Sequence, residues 1–176
     1  MKICAENMIR TTMELGGHAP VLVFEDANLE STLDMSVMAK FRNAGQVCVS
    51  PTRYFVHESL YEKFVAGFTA RVNKMKIGNP LDESNHMGPL IHARRRDAIT
   101  ALVNDAVANG ATLNTGGEAI AGPGFFYKPT VLSNVPDTAR IMNDEPFGPV
   151  AIINPFSTYE EAMAKANRLP YGLAAY

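Results

Sequence analysis

Residues 20–57 read PVLVFEDANLESTLDMSVMAKFRNAGQVCVSPTRYFVH, and the order of signals in this stretch decides the fold. Pro20 to Phe24 is a short unbroken apolar run, the mark of a buried strand. Asn28 follows, a residue type whose side chain satisfies free backbone N–H groups at helix starts. After it Leu29, Leu33, Val37, Met38 and Phe41 recur at helical spacing. Asn43-Ala44-Gly45-Gln46 interrupts the helix, and Thr52 to His57, β-branched and aromatic, reads as a second strand. Strand, amphipathic helix and strand in this order specify a layered α/β fold, a sheet with flanking helices.

The alternation continues downstream. Leu60, Phe64, Phe68 and Met75 share helical spacing and are read as core, and Gly78 to Pro89 is a loop of Gly, Asn, Asp and Pro. Ile99, Leu102, Val103, Ala106 and Val107 mark another helix, ended by Gly110. A glycine-rich loop runs from Gly116 to Gly124, and short strands are expected at Thr130–Leu132 and Val150–Asn154. Ser157 and Glu160 are spaced as a capping box for a helix reaching Asn167. Leu173 to Tyr176 looks like the start of one more strand, so the chain is expected to be a piece of a longer protein.

Bulk properties exclude several classes of function. A chain of 176 residues fits one domain and can bury roughly 70% of its unfolded surface. Its 47% hydrophobic and 19% charged residues describe a globular protein, and a net charge of −2 provides no field for a polyanion, so nucleic-acid binding is not expected. Arg94-Arg95-Arg96 opens a helix and is read as a solvated face. Cys4 and Cys48 lie far apart without CxxC or Cys/His spacing, which supports neither a disulfide framework nor a metal site. No apolar run approaches a membrane span, and Met1 to Arg10 is too charged for a secretory leader, which makes a cytoplasmic location the expectation. His18, Arg53, His57, His86 and His92 are assigned solvent-facing or strand-end positions.

Three short motifs carry chemistry. In the first, Cys48 follows a helix end and a glycine break, a setting that suits an exposed thiol nucleophile, although a lone cysteine is more often a small buried hydrophobe. The second is Met13-Glu14-Leu15-Gly16-Gly17, a carboxylate at an expected strand end beside two glycines that would let a ligand approach the backbone. Glu14 there is either a surface residue or a partly desolvated base. The third, Glu145-Pro146-Phe147-Gly148-Pro149, is a rigid turn presenting one carboxylate and one ring, or an ordinary surface turn.

Together, in their order and spacing, these motifs resemble the aldehyde dehydrogenase superfamily across almost the whole chain. Gly88-Pro89-Leu90, Gly116-Gly117, Phe126 with Pro129-Thr130, and Tyr171-Gly172-Leu173-Ala174 extend the match. The resemblance implies the catalytic domain of that fold, incomplete at its C-terminus, over residues 13–176, with residues 1–12 as the tail of a dinucleotide-binding domain. It implies Cys48 as the nucleophile toward an aldehyde, Glu14 as general base for thioester hydrolysis, and the Cys48 N–H as one oxyanion donor. Glu145 and Phe147 would meet the nicotinamide ribose and ring of NAD or NADP, with Leu15 and Gly16 bordering the same pocket. Arg42, six residues before Cys48, stands where succinic-semialdehyde dehydrogenases hold a distal carboxylate, though it could equally cap its helix or pair with an acid.

The family's upstream lysine and asparagine and its GxGxxG-like dinucleotide elements find no match here. The reaction is therefore expected of a longer parent, a homo-oligomer (dimer or tetramer) acting on a small-molecule aldehyde. Two other readings stay open: a catalytically silent module, and a cofactor-independent thiol esterase or acyltransferase, against which the lack of a Cys/His pattern counts.

Overall fold

The computed structural model describes residues 1–176 as one five-stranded sheet with helices on both faces. The elements are α1 (Lys2–Glu6), β1 (Ala19–Val23), α2 (Leu29–Phe41), β2 (Pro51–His57), α3 (Glu58–Val72), α4 (Ala93–Ala108), β3 (Thr112–Thr115), β4 (Thr130–Ser133), β5 (Val150–Phe156) and α5 (Tyr159–Ala166). The strand order is β1-β2-β5-β4-β3, parallel throughout except for β3, which pairs antiparallel with β4 at one edge. The expected α/β architecture is what forms.

Strand β2 shows how one sequence covers two faces, because successive side chains of a strand point oppositely. Tyr54 packs against Phe64 and Phe68 of α3 and donates its hydroxyl to the Ser36 carbonyl of α2. Arg53, on the other face, donates to the carbonyls of Lys165 and Ala166 at the end of α5 and to that of His18. Arg53 is thus 2% exposed and His18 1%, which corrects their assignment to solvent-facing or strand-end positions. Both are buried because each is fully engaged: His18 Nε2 donates to the Ile141 carbonyl at 2.8 Å and Nδ1 meets Thr52 Oγ1 at 2.6 Å. Burial holds the His18 imidazole neutral, its pKa lowered to about 3.

Several helix readings shift in detail. Asn28 does cap α2, accepting from the Ser31 N–H, but the buried face is Leu33, Ser36, Val37, Lys40 and Phe41, while Met38 is exposed. In α3 the buried set is Tyr61, Phe64, Phe68 and Val72, with Leu60 only partly covered; Met75 lies beyond the helix end and is also only partly covered. Helix α4 buries Ile99, Leu102, Val103 and Ala106 and leaves Val107 exposed; Gly110 follows at φ +100. The capping pair of α5 lies one residue later than expected: Thr158 Oγ1 accepts from the Glu161 N–H, and Glu161 Oε2 accepts from the Ser157 N–H. Ser157 instead donates to Glu58, at the start of α3.

Strand β3 is absent from the sequence reading because TLNT is short and its Thr112 and Leu113 are exposed, leaving no apolar alternation to detect. Leu173–Tyr176 forms no strand and is largely exposed, yet Tyr176 N–H bonds the Pro20 carbonyl and the Leu22 N–H bonds the Tyr176 carbonyl. That is the parallel pairing pattern, seated on the outer edge of β1. No helix is long and apolar enough to cross a membrane.

Candidate active site

The thiol of Cys48 sits on a turn between α2 and β2 whose backbone is held in an uncommon conformation. Asn43, Ala44 and Gly45 have φ of 50, 53 and 70, three successive left-handed residues. Asn and Gly tolerate this region, whereas for Ala44 it costs roughly 1–2 kcal/mol. The surrounding bonds hold it: Asn43 Nδ2 donates to the Gln46 carbonyl and Gln46 Nε2 to the Asn43 carbonyl, at 3.0 and 3.1 Å. Gln46 Oε1 also accepts from the Ile91 N–H, fastening the turn to the loop before α4. Cys48 then lies half-buried in the Val47–Ser50 turn as a free thiol, and its backbone N–H donates to no group of the chain.

Contacts at three glycines bring the motifs together. Gly45 meets the second carboxylate turn so closely that an added Cβ would lie 2.2 Å from the Gly148 carbonyl oxygen. Gly17 lies between Cys48 and Glu145: its N–H donates to Glu145 Oε1 at 3.0 Å, and an added Cβ would stand 2.6 Å from the Cys48 carbonyl oxygen. At Gly16 an added Cβ would come within 2.5 Å of Glu145 Oε2. The three motifs, scattered over the chain, therefore share one locus.

Glu145 is half-buried, with one carboxylate oxygen fixed by Gly17 and the other making no hydrogen bond. Phe147 adopts φ 45 and lines a cavity of about 530 Å³ with Asn43, Gln46, Pro89, Leu90 and Phe125. Arg95 Nη1 donates to the Pro146 carbonyl at 3.2 Å, so this arginine braces the carboxylate turn rather than standing wholly on a solvated face. The run Arg94-Arg95-Arg96 disguised it, because the three side chains diverge around the helix.

The remaining candidates are placed as follows. Glu14 and Leu15 are exposed and belong to no strand, so the expected strand end at Glu14 does not form, and its carboxylate bonds nothing in the chain. Residues 9–18 run without helix or strand; Ile9 and Thr11 bond back to Cys4 and Met1, and Gly17 and His18 tie the stretch to the rest of the fold. Arg42 is exposed at the C-terminal end of α2; its guanidinium makes no ion pair and no hydrogen bond. It lines a cavity of about 470 Å³ with Val37, Met38, Phe41, Lys74 and His86, which Cys48 does not line.

Lys40 was missed. It occupies the apolar face of α2 between Val37 and Phe41, entirely buried, and that spacing was the available signal. Burial lowers its pKa to about 7.

The match to known proteins covers the whole chain: the model of the aldehyde dehydrogenase family aligns with residues 1–176. The chain belongs to the aldehyde dehydrogenase family. Among curated members it is 44% identical to the succinate-semialdehyde dehydrogenase of Paenarthrobacter nicotinovorans over 176 residues, all of this chain and 39% of that protein. It is 42% identical to the betaine aldehyde dehydrogenase of Brucella ovis, over 99% of this chain and 37% of that one. Solved aldehyde dehydrogenase structures superpose closely: lactaldehyde dehydrogenase from Escherichia coli gives a TM-score of 0.92 at 37% identity, over 99% of this chain and 37% of that one. An NADP-dependent enzyme of Escherichia coli gives 0.94 at 36% identity, over 99% and 36%. The chain thus spans less than two fifths of the length of these relatives.

Proposed function

We propose that this chain is the nucleophile-bearing part of an enzyme that oxidises an aldehyde to a carboxylic acid with NAD or NADP. Residues 13–176 belong to its catalytic domain and residues 1–12 to the end of the dinucleotide domain. The observation that carries the reading is Gly17, wedged between the backbone of Cys48 and the carboxylate of Glu145 in a member of the aldehyde dehydrogenase family.

The residues present suit a dinucleotide. Glu145 keeps one carboxylate oxygen free to accept from a ribose hydroxyl, the bare backbone of Gly16 faces that carboxylate, and Phe147 offers an aromatic face beside the turn. When bound, the dinucleotide supplies the hydride acceptor. Everything else falls to the chain: Cys48 Sγ adds to the aldehyde carbon, and the uncommitted Cys48 N–H faces the oxygen that becomes negative. After oxidation Cys48 carries a thioester, and Glu14 takes the proton of the water that opens it, releasing acid and thiol. Glu14 is exposed and makes no hydrogen bond within the chain, so its carboxylate is uncommitted.

A carboxylated semialdehyde is the favoured substrate class. Support comes from the Arg42 guanidinium, which is exposed and has no acid partner in the chain, and from the 44% identity with a succinate-semialdehyde dehydrogenase.

The test uses the longer protein: succinic semialdehyde and NAD or NADP are supplied, and absorbance of reduced nicotinamide is followed. Turnover in the wild type that is lost in Cys48→Ala is expected. Glu14→Gln should give a burst of one equivalent followed by slow turnover; undiminished turnover in Cys48→Ala would refute the assignment.

A further inference from the structure

Lys40 carries a fully buried amine with a single hydrogen bond, Nζ to Ser50 Oγ at 3.2 Å, and no acid within ion-pair distance. An ammonium in such a place opposes folding, since one hydroxyl replaces only part of its lost hydration. An apolar side chain of the same length would be the more stable choice. The position is therefore informative about something other than stability.

The geometry of its surroundings is specific. Lys40 lies in the last turn of α2, where the chain enters the turn bearing Cys48, and Ser50 lies at that turn's exit. The bond between them closes the base of the loop from Phe41 to Val49. A Cβ on Gly45 would come within 3.2 Å of Lys40 Nζ and 2.2 Å of the Gly148 carbonyl. The amine therefore sits beneath the point where the thiol-bearing turn touches the Glu145–Pro149 turn. The carbonyls ending α2 give it a favourable dipole end, but no counter-charge.

We infer that Lys40 is a positioning residue: by bonding Ser50 under Gly45 it clamps the strained turn that presents Cys48 and holds it against the Glu145–Pro149 turn. This rests on reading Cys48 as the nucleophile, and it assigns Lys40 no contact with substrate. Without the clamp the left-handed turn relaxes, and the thiol loses its fixed presentation while the sheet beneath stays intact.

The test is site-resolved alkylation of the chain by iodoacetamide, with Cys4 in the same molecule as internal reference and mass spectrometry separating the two sites. Lys40→Met keeps the length and apolar packing, and Ser50→Ala removes the partner from the other side. Each is expected to slow Cys48 about fivefold or more, leave Cys4 unchanged, and give no further loss when combined, as groups in one contact do. Urea unfolding should show Lys40→Met at least as stable as wild type, so that slower alkylation is not a folding defect. In the longer protein Lys40→Met should lower kcat with KM little changed. Wild-type alkylation rates at Cys48 in both variants overturn the clamp while leaving the nucleophile reading standing. A wild-type Cys48 no more reactive than Cys4 overturns the nucleophile reading and the clamp with it.

Discussion

Gly17 donates its backbone N–H to Glu145 Oε1 at 3.0 Å while the space where its side chain would be is filled by the carbonyl oxygen of Cys48. One residue without a Cβ thus joins a carboxylate and a thiol-bearing turn that the chain keeps far apart. Any side chain at this point must displace backbone, whereas at Gly16 it meets only the end of a flexible glutamate.

Gly17→Ala should therefore cost about 1–3 kcal/mol and slow Cys48 alkylation about tenfold, because its methyl group collides with the turn that presents the thiol. Gly16→Ala should leave the thiol rate nearly unchanged, since Glu145 can swing aside. Equal effects of the two substitutions on Cys48 reactivity would show that Gly17 does not act through this contact.

Gly45 combines φ +70 with the Gly148 carbonyl at its missing side chain, so Gly45→Ala meets both backbone strain and steric overlap. A loss of about 2–4 kcal/mol is expected in urea unfolding, more than at Gly110, which has φ +100 but open space around it. The two glycines compared in one experiment separate strain from collision.

His18 is held neutral in the fold, its pKa lowered from 6.5 to about 3, so the unfolded chain takes up a proton that the folded chain refuses. The stabilisation is whole above pH 6.5 and is lost as pH falls toward 3, with a slope reaching about 1.4 kcal/mol per pH unit. His18→Gln should be less stable than wild type at pH 7, and the gap between them should narrow on acidification. A gap independent of pH would mean that His18 takes up its proton as readily in the fold as in the unfolded chain.

Lys40 titrates in another window. Its folded pKa of about 7 lies below the 10.5 of a free lysine, so between these values the unfolded chain binds the extra proton and stability rises with pH. Chemical unfolding from pH 7 to 10 should show this rise in the wild type and a flatter profile in Lys40→Met. Parallel profiles would place the charge of Lys40 outside this range.

Arg42 carries the substrate question. In the longer protein Arg42→Ala should raise KM about tenfold for a carboxylated semialdehyde and leave a plain alkyl aldehyde unaffected, a difference of about 1.4 kcal/mol in binding. Equal effects on both substrates would make Arg42 a structural residue.

Much of this was legible in the chain itself. Val21 and Val23 of β1, the Asn28 cap, the run Thr52–His57 and the glycine ending α4 announce themselves, because strand burial, helix capping and left-handed turns depend on residues close in sequence. The Glu14, Cys48 and Glu145 motifs were visible for the same reason, as local patterns at characteristic spacing.

What folding alone decided is long-range. Arg53 and His18 look like surface residues until carbonyls from distant segments surround them, and Lys40, although spaced with the apolar face of α2, finds its partner Ser50 only when the turn after α2 closes. Strand β3 exists because β4 offers it an edge, not because its own residues demand one. Burial of a polar group depends on partners that packing supplies, and packing is a property of the assembled sheet and helices, whereas capping and periodicity are written within a few residues of themselves.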